Sequence, residues 1–559
     1  MTSPLPNTAL QRHFVTVRGQ FGTRQVHYRR GGQGPVVLLL HQSPQSSREM
    51  EPLIAAWGRT FTLIAPDSPG YGFSNPLQRA GQPVTSASID DFAAATLEFA
   101  EAVGVRRFGI YGFHTGASIG VALAHRYPDR VAAVAANGFV VFTEEERAAI
   151  LRDYLPPLIP RWDGGHLAWL WGRMREQTIF FPWHDRRAAT RMAFEVPGPD
   201  QLQQGLNEFL AAGDHYHVAY GAAFTDRVER RLPALNVPVL ITATARDPLA
   251  GHLGRIGARS ATVRVLPLDD ASAAQSQAFA HLASHPGDAG PVNAVEKRAD
   301  SDLLTFGTSE YLGAPGRQTR VIRTAARTAG LGRTVVLLHA PGHSATSLGS
   351  LANAIAEHAD VLAPDLPGHG ASDPPLAGAA GGALAGTVMQ LSAALAPSLA
   401  PAGTTLVAIG SSAPVAIEVA ANLGHRTRVV LLDSPAWSAA ETDAWLRHGL
   451  PAITPVWSGG HLLEAWHLVR DNRLFSPWFR REPAGIRPGE PDLDDARIHQ
   501  EVRDLLRANG AWQALLRDAL GYRGPAGQRA GPGIIELKVA PENWADLLTP
   551  GRAGNTAES

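Results

Sequence analysis

The sequence contains no cysteine at any of its 559 positions. Disulfide bonds, thiolate metal sites and a cysteine nucleophile are therefore excluded. The sequence also lacks a run of about 18 uncharged apolar residues, which a membrane-spanning helix would require. We therefore expect no interaction with the membrane interior.

An excess of charge of one sign is also absent, because 50 Lys and Arg residues are offset by 51 Asp and Glu residues. Such a balance gives no electrostatic reason to expect nucleic acid or an acidic membrane surface as a partner. The N-terminal residues MTSPLPNTALQRHF have no basic segment followed by an apolar run, so no secretory signal is expected. No phosphate loop, dinucleotide fingerprint or metal-ligand spacing is present. We expect a cytoplasmic protein that binds a small molecule and needs no metal or cofactor.

What the sequence does contain is an internal repeat. Residues 160–183 (PRWDGGHLAWLWGRMREQTIFFPW) and 455–478 (PVWSGGHLLEAWHLVRDNRLFSPW) are identical at eleven of twenty-four positions, at a constant offset of 295. Two further pairs are VVLLLHQSPQSS (36–47) with VVLLHAPGHSAT (335–346), and LIAPDSPGYGFSNP (63–76) with VLAPDLPGHGASDP (361–374). The offset is 298 around these two pairs, so the second copy has lost three residues before the Trp-rich block. Such self-similarity indicates a tandem duplication, so each half can be interpreted by comparison with the other.

Each half alternates short apolar strands with helical patterns, which predicts an α/β fold with a mostly parallel sheet and helices on both faces. A Trp-rich, helical segment interrupts the alternation in each half and predicts a helical cap. The predicted boundaries are residues 1–290 for the first domain with its cap at about 143–235, 291–302 for a linker, 303–547 for the second domain with its cap at about 438–530, and 548–559 for a tail. The second copy is expected to lack the last strand and helix of the first.

A tight strand-to-helix turn follows one apolar strand in each half. The turns read GFHTG (112–116) and GSSAP (410–414). Together with the strand that ends in His41 or His339 and the PDxPGxG turn, they resemble the nucleophile elbow of the α/β-hydrolase superfamily. The resemblance is to the capped branch that contains epoxide hydrolases, haloalkane dehalogenases and C–C-bond hydrolases, and to a bacterial subset with His in the elbow. It implies two tandem capped hydrolase domains, the second degenerate.

In the first copy, the resemblance places His114 at the nucleophile position and Asp247 at the position of the acid that orients the catalytic base. It assigns the oxyanion-binding N–H groups to Ser43 and Thr115. The final loop (266–279) has no His, so the base has moved to the elbow. An imidazole there could be acylated directly or could act as a general base on water.

In the second copy, the resemblance places Ser412 at the nucleophile position, Glu542 at the acid position and the N–H of Ala413 in the oxyanion hole. Asp433 is an alternative acid. Pro341 stands where the second oxyanion N–H is required, and proline has none. We therefore expect the second copy to be a poor catalyst.

Five residues are candidates for lining the substrate pocket of the first copy: His41, Gln42, His166, Trp162 and Arg175. A structural role is open for each of them except Gln42. The histidine of GGHL could bond a backbone carbonyl at a helix start, the tryptophan could pack in the cap, and the arginine could form an ion pair.

The sequence predicts a cofactor-independent hydrolase of a small, largely apolar ester, lactone or related acyl compound, with the chemistry in the first domain. Two alternatives stay open: a non-catalytic ligand-binding or scaffold protein, and a lyase or C–C-bond hydrolase that uses His114 for proton transfer. The two lobes are expected to form an intramolecular pseudo-dimer, and a homo-oligomer is also conceivable. Because function inferred from fold is analogy, the site itself must decide between these.

Overall fold

The computed structural model describes residues 9–290, 307–327, 333–375, 381–400, 403–424, 427–435, 437–524, 534–541 and 543–548. The predicted linker and the predicted tail beyond Leu548 lie outside these ranges. The described chain divides into two compact units. Residues 9–290 belong to the first unit, except for 160–165, which group with the second unit and the residues from 307 onwards.

The first unit contains an eight-stranded sheet with the order β1-β2-β4-β3-β7-β8-β9-β10. The strands are β1 (Gln11–Gly19), β2 (Gly22–Gly32), β3 (Val36–Leu40), β4 (Thr62–Pro66), the short hairpin β5 (Gln78–Arg79) and β6 (Gln82–Pro83), β7 (Phe108–Phe113), β8 (Val131–Asn137), β9 (Val239–Thr244) and β10 (Val263–Leu268). The helices are α1 (Glu51–Trp57), α2 (Ile89–Ala102), α3 (Thr115–Arg126), α4 (Glu144–Asp153), α5 (Gly165–Gln177), α6 (Pro199–Ala212), α7 (Tyr216–Thr225) and α8 (Ala271–Ser284). From β4 to β10 neighbouring strands run parallel, whereas β1 and β2 are antiparallel.

The second unit repeats this arrangement with seven strands in the order β11-β12-β14-β13-β15-β16-β17. The strands are β11 (Thr308–Leu312), β12 (Thr319–Thr324), β13 (Thr334–Leu338), β14 (Asp360–Pro364), β15 (Thr404–Ile409), β16 (Thr427–Leu432) and β17 (Ile534–Leu537). The helices are α9 (Gly349–Ile355), α10 (Gly382–Leu395), α11 (Ala413–Leu423), α12 (Ala439–His448), α13 (Gly460–Leu474), α14 (Asp495–Arg507), α15 (Ala511–Gly521) and α16 (Trp544–Leu548). Within the described residues, no counterpart of β10 follows β17, as the expectation of a shortened second copy requires.

The central strands are buried on both faces because helices cover each side of the sheet. Every residue of β3 (VVLLL) and β13 (TVVLL) is buried. Continuous apolar runs of this kind are typical of parallel strands, since neither face meets water. The tandem α/β fold predicted from the sequence is confirmed.

Four helices are inserted between β8 and β9 in the first unit, and four between β16 and β17 in the second. The first inserted helix starts in the same way in both copies. A capping box joins Thr143 to Glu146 at α4, and a second joins Ser438 to Glu441 at α12. Each box satisfies two backbone N–H groups that the helix itself leaves free, so the duplicated S/T-x-x-E pattern determines where the insertion becomes helical.

The buried aspartate of the PDxPGxG motif holds neighbouring segments of the chain together by hydrogen bonds in both units. The buried Asp67 carboxylate accepts hydrogen bonds from His27 Nδ1 (2.8 Å), Ser47 N (2.8 Å) and Phe73 N (2.9 Å). A Cβ on Gly72, at φ +54°, would lie 2.1 Å from Asp67 Oδ2, which explains the last glycine of the motif. In the second unit, Asp365 accepts from two backbone N–H groups of the corresponding loops. The repeated motif therefore has a structural role in both units.

Among the helices of the described ranges, none has the length and apolar character needed to cross a bilayer.

Candidate active site

The elbow of the first unit is a single residue, His114, between the end of β7 and the start of α3. Its backbone has φ +48° and ψ −107°, a conformation that is strained for any residue with a Cβ. A Cβ on Gly116 would lie 2.1 Å from the Leu40 carbonyl oxygen, so the turn packs directly against β3. The strain holds the imidazole above the carboxyl edge of the sheet, at the N-terminus of a helix.

His114 and Asp247 form a hydrogen-bonded pair. His114 Nε2 lies 3.0 Å from Asp247 Oδ2, and Leu249 N donates to Asp247 Oδ1 at 2.8 Å. Burial opposes the charge of Asp247, but the bonds from His114 and Leu249 outweigh it and lower the pKa of this carboxyl group. Because a carboxylate only accepts, Nε2 carries the hydrogen and Nδ1 carries the lone pair. Within the described residues Nδ1 has no hydrogen-bond partner, so it is available to act as a base.

The loop after β10, where the family's catalytic histidine would stand, supplies no imidazole. Ala271 reaches the cavity from this loop. His281 lies further along, within α8, and is buried away from the cavity. The structure thus agrees with the expectation that the elbow carries the imidazole of this site.

A cavity of about 530 Å³ opens over His114. Its wall is rich in aromatic side chains, and its floor around the elbow is polar. The aromatic lining residues are Phe113, Phe142, Tyr154, Phe181, Phe194, Tyr220 and Phe224. The polar floor is formed by Gln42, Ser43, His114, Thr115, Asn137, Thr244 and Asp247. A pocket of this size suits a ligand with one or two rings and a polar group directed at the elbow.

Two backbone N–H groups beside the elbow have no acceptor within the described residues. They belong to Ser43 and Thr115, and both residues line the cavity. Thr115 is the first residue of α3, where a helix leaves its N–H groups free. The Ser43 hydroxyl is engaged elsewhere, since it donates to Tyr71 Oη (3.1 Å), which in turn donates to the Tyr216 carbonyl. The two amides are therefore free to bind a carbonyl oxygen that gains negative charge.

Comparison with known proteins agrees with this geometry. Residues 35–176 match the sequence model of a family described as the alpha/beta hydrolase fold, and residues 335–551 match one described as the alpha/beta hydrolase family. The chain belongs to the α/β-hydrolase superfamily. Both copies match, so the superfamily assignment holds for each half of the repeat.

Similar proteins include a 2-(acetamidomethylene)succinate hydrolase of Mesorhizobium japonicum, which is 30% identical over 134 residues, or 24% of this chain and 46% of that protein. Haloalkane dehalogenase 2 of Mycobacterium tuberculosis is 32% identical over 123 residues, or 22% of this chain and 40% of that protein. The crystal structure of epoxide hydrolase A from Mycobacterium thermoresistibile aligns with 49% of this chain and 98% of its own, at 20% identity and a TM-score of 0.37. The chain thus spans less than half the length of these two sequence relatives.

The turn at the elbow position of the second unit does not have the geometry of a nucleophile elbow. Ser412 has φ −83° and ends a 3₁₀ turn, and its buried hydroxyl contacts the carbonyl oxygens of Leu338 (3.1 Å) and Ile409 (2.9 Å). The hydroxyl therefore faces the backbone and does not line the neighbouring cavity. Pro414 stands at the position of Gly116. In the first unit, even a Cβ at that position would collide with the Leu40 carbonyl oxygen of β3. In this structure the Ser412 hydroxyl is therefore not presented to a substrate, in keeping with the expectation that the second copy is a poor catalyst.

The other predicted groups of the second unit do not assemble either. Ala413 is buried and lies outside the cavity lining, while Pro341 lines the cavity without an N–H to offer. Glu542 lies outside the described residues. Asp433, the alternative acid, lines the cavity but makes no hydrogen bond to Ser412 within the described chain.

Of the five predicted pocket residues, Gln42 lines the first cavity and the other four do not. His41 is buried, its Nδ1 donates to the Gln42 carbonyl (2.8 Å) and its Nε2 accepts from Ser68 N (2.9 Å). Both ring nitrogens are thus occupied, and burial lowers the pKa of this histidine. Its function is to connect the oxyanion loop to the turn after β4. His339 makes the same two contacts in the second unit.

His166, Arg175 and Trp162 miss the cavity because of where they lie around α5. The cavity meets α5 at its last residue, Gln177, and His166 is eleven positions earlier, about 16 Å along a helix. Arg175 precedes Gln177 by two positions, so it projects from another face. Trp162 is 71% exposed and groups with the second unit. None of these three residues lines the cavity of the first unit.

One carboxylate beside the elbow was not singled out from the sequence. Glu49 is half-buried and accepts from Gln42 N (3.1 Å) and from Gln42 Nε2 (2.5 Å). Burial raises the pKa of Glu49 to about 7, although these bonds and the nearby His114 imidazole oppose the shift. The sequence offered a weak signal, since Glu49 follows Gln42 by seven residues in a stretch that turns back toward the strand end. Glu49 therefore fixes the orientation of a residue that lines the cavity.

We expect the stability of the first unit to fall as the pH rises from about 4.5 to about 7, and Glu49→Gln to remove this dependence. A carboxyl group whose pKa rises from 4.5 to about 7 on folding stabilises the folded state below the lower value. This stabilisation is lost as the pH rises through the higher value. The difference amounts to at most about 3 kcal/mol. Thermal unfolding of both proteins at pH 5 and pH 8 tests it. If wild type and Glu49→Gln differ in melting temperature by the same amount at both pH values, the raised pKa of Glu49 is contradicted.

Proposed function

We propose that the first unit is a cofactor-independent hydrolase of a small ester or lactone that carries an aromatic group. The observation that carries the proposal is the 3.0 Å bond between His114 Nε2 and Asp247 Oδ2 at the floor of an aromatic cavity. It orients an imidazole with a free Nδ1, next to two unpaired backbone N–H groups. Base, orienting acid and oxyanion donors are the three parts that acyl transfer to water requires.

In the proposed reaction, His114 Nδ1 removes a proton from a water molecule as the water oxygen attacks the ester carbonyl carbon. The carbonyl electron pair moves to oxygen, and the oxyanion accepts hydrogen bonds from the N–H groups of Ser43 and Thr115. The intermediate collapses when its C–O bond to the alcohol breaks. The imidazolium then returns its proton to the departing alkoxide, leaving a carboxylic acid and an alcohol.

Two features favour general-base catalysis over direct acylation of His114. Asp247 lies on the far nitrogen of the ring, where its negative charge stabilises the imidazolium that proton removal creates. The His114 ring also packs at a tilt of 33° against Phe113, with centroids 4.2 Å apart, which restricts its rotation toward a bound acyl carbon. Hydrolase is the activity named for the Mesorhizobium japonicum relative. The ester class rests on the cavity of this chain.

The aromatic wall predicts the preference among substrates. We expect wild-type protein to hydrolyse benzyl acetate and 2-phenylethyl acetate with kcat/KM at least tenfold higher than methyl acetate. The three leaving alcohols are of similar reactivity, and a ring buried against aromatic side chains contributes about 1–3 kcal/mol to binding the transition state. Released acid is titrated for all three substrates, so one assay compares them. If none of the three is hydrolysed, the proposal fails, and the non-catalytic alternative accounts better for the site.

A further inference from the structure

The second unit, whose described residues assemble no catalytic group, contains the larger cavity. Its volume is about 1080 Å³, against about 530 Å³ in the first unit. The cavity lies between the inserted helices and the carboxyl edge of the sheet within the second unit, and its lining includes Gly342, Ser411 and Asn472. The copy that departs further from the family's elbow therefore has the larger space for a ligand.

The difference in volume has an identifiable source. In the first unit the guanidinium carbon of Arg173 lies 5.6 Å from the ring centroid of Tyr154 and 4.7 Å from that of Phe209, and these three side chains fill the space. At the repeat offset of 295, Gly449 replaces Tyr154 and Leu468 replaces Arg173.

The residue that replaces Phe209 in the second unit is identified by aligning the buried positions of α6 and α14. Leu202, Leu206 and Leu210 of α6 align with Ile498, Val502 and Leu506 of α14 at an offset of 296, which places Leu505 opposite Phe209. Gly449, Leu468 and Leu505 all line the larger cavity. Three large side chains have thus been exchanged for smaller ones on the same wall, so the space was opened by substitution and not by truncation of the chain.

The wall of this cavity is suited to flat aromatic molecules. Its aromatic lining residues are Trp437, Trp445, Trp478, Phe479 and Trp512. Tryptophan faces provide large, rigid apolar contact areas for planar rings. Four of the twelve tryptophans of the chain are concentrated here.

Two of the cations that line the cavity have no carboxylate partner within the described residues. Of the lining carboxylates, Glu482 pairs with Arg480 (2.7 Å), Glu501 pairs with Arg473 (2.6 Å) and Glu441 caps α12. Arg487, Lys538 and Asp433 also line the cavity, and none of these three forms an ion pair within the described residues.

Arg487 and Lys538 are thus lining cations without a carboxylate partner among the described residues, so both are available to a ligand. Asp433 and Glu441 are likewise lining carboxylates without a cationic partner there. Arg487 still has its terminal guanidinium nitrogens available, since only its Nε donates to the Phe475 carbonyl (3.1 Å). A guanidinium fork and an ammonium group match the geometry and charge of a carboxylate.

We propose that the second unit is a binding domain for a planar aromatic carboxylate, which it holds between the tryptophans and the Arg487–Lys538 pair without converting it. Ser411 and His343 line the cavity, and no hydrogen bond joins them within the described residues. The Ser412 hydroxyl is buried against the backbone and does not line the cavity. The proposal does not depend on the reaction assigned to the first unit.

Binding of 2-naphthoate to the full-length chain, measured by isothermal titration calorimetry, tests the proposal. Leu468→Trp refills the space that Arg173 occupies in the first unit, and His467→Trp on the exposed face of the same helix is the matched control. We expect Leu468→Trp to raise the Kd of the second-unit site at least tenfold and His467→Trp to leave it unchanged. If Leu468→Trp does not fold, Leu505→Phe, which restores the residue of the first copy, replaces it.

The charge component is tested separately by the double variant Arg487→Met, Lys538→Met. We expect it to weaken 2-naphthoate binding at least fivefold and to leave binding of neutral 2-naphthamide unchanged. The proposal is overturned if 2-naphthoate does not bind to wild type, if Leu468→Trp and Leu505→Phe bind it as wild type does, or if the double variant weakens both ligands equally.

Discussion

Replacing His114 with alanine is expected to lower kcat/KM for benzyl acetate by about 10³-fold or more, because it removes the proposed base while the oxyanion amides remain. Asp247→Asn is expected to lower kcat/KM by a similar factor. An amide bonded to the His114 ring can donate to Nε2, which leaves the lone pair on Nε2 and the hydrogen on Nδ1. The double variant should be no worse than His114→Ala alone, because the two residues act as one unit. Steady-state kinetics of the three variants measure this.

Ser412→Ala is the matched control, since it removes a polar side chain from the equivalent position of the other copy. Its hydroxyl contacts only backbone groups among the described residues, so its loss should affect the folding of the second unit and leave hydrolysis unchanged. If Ser412→Ala abolishes activity and His114→Ala does not, the chemistry belongs to the second unit. Additive losses in His114→Ala and Asp247→Asn would show that the pair does not work as a dyad.

Asp67→Ala is expected to destabilise the first unit by about 3–5 kcal/mol, one of the largest effects of any single substitution outside the elbow. The change leaves the His27 ring, the Ser47 hydroxyl and two backbone N–H groups buried without their acceptor. Although burial opposes its charge, these donors hold the pKa of Asp67 well below its usual value. The charged form is therefore the one that stabilises the fold.

Calorimetry of the full chain measures this effect as a fall of about 10 °C in the melting temperature of the affected transition. Asp129→Ala, at an exposed turn position, is the control and should shift it by less than about 1–2 °C. Equal melting-temperature shifts for the two variants would show that the hydrogen bonds of Asp67 contribute little to the stability of the first unit. Because Asp67 lies outside the cavity lining, the residual folded protein should retain the substrate preference of wild type.

The fold could be predicted from the sequence because its determinants are local and repeated. Strands such as VVLLL are apolar at every position, and the PDxPGxG turn needs its glycine beside the Asp67 carboxylate. His114 and Asp247 could also be predicted to lie close together, since both follow parallel strands at the same edge of the sheet. Their bond at 3.0 Å follows directly from that topology.

The rest of the site depended on side-chain direction and packing, which sequence spacing does not determine. His166 was retained in both copies, yet it lies at the wrong end of α5 to reach the cavity. Ser412 was correctly aligned with His114, but the effect of Pro414 on the turn could only be judged once the close approach of Gly116 to β3 was known. The aromatic wall comes from residues scattered between 113 and 224, which no local pattern connects.

The contrast between the two elbows has a consequence for how this chain evolves. A non-glycine residue held at φ +48° costs of the order of 1–3 kcal/mol, which the surrounding structure must supply. In the second unit, Pro414 and the relaxed turn at Ser412 have removed that cost. A single-copy enzyme faces a trade-off between activity and stability at this turn, because relief of the strain would displace its imidazole. Here duplication divides the two demands, so the first copy keeps the strained geometry that chemistry needs, and the second is free to accumulate stabilising substitutions and to diverge in what it binds.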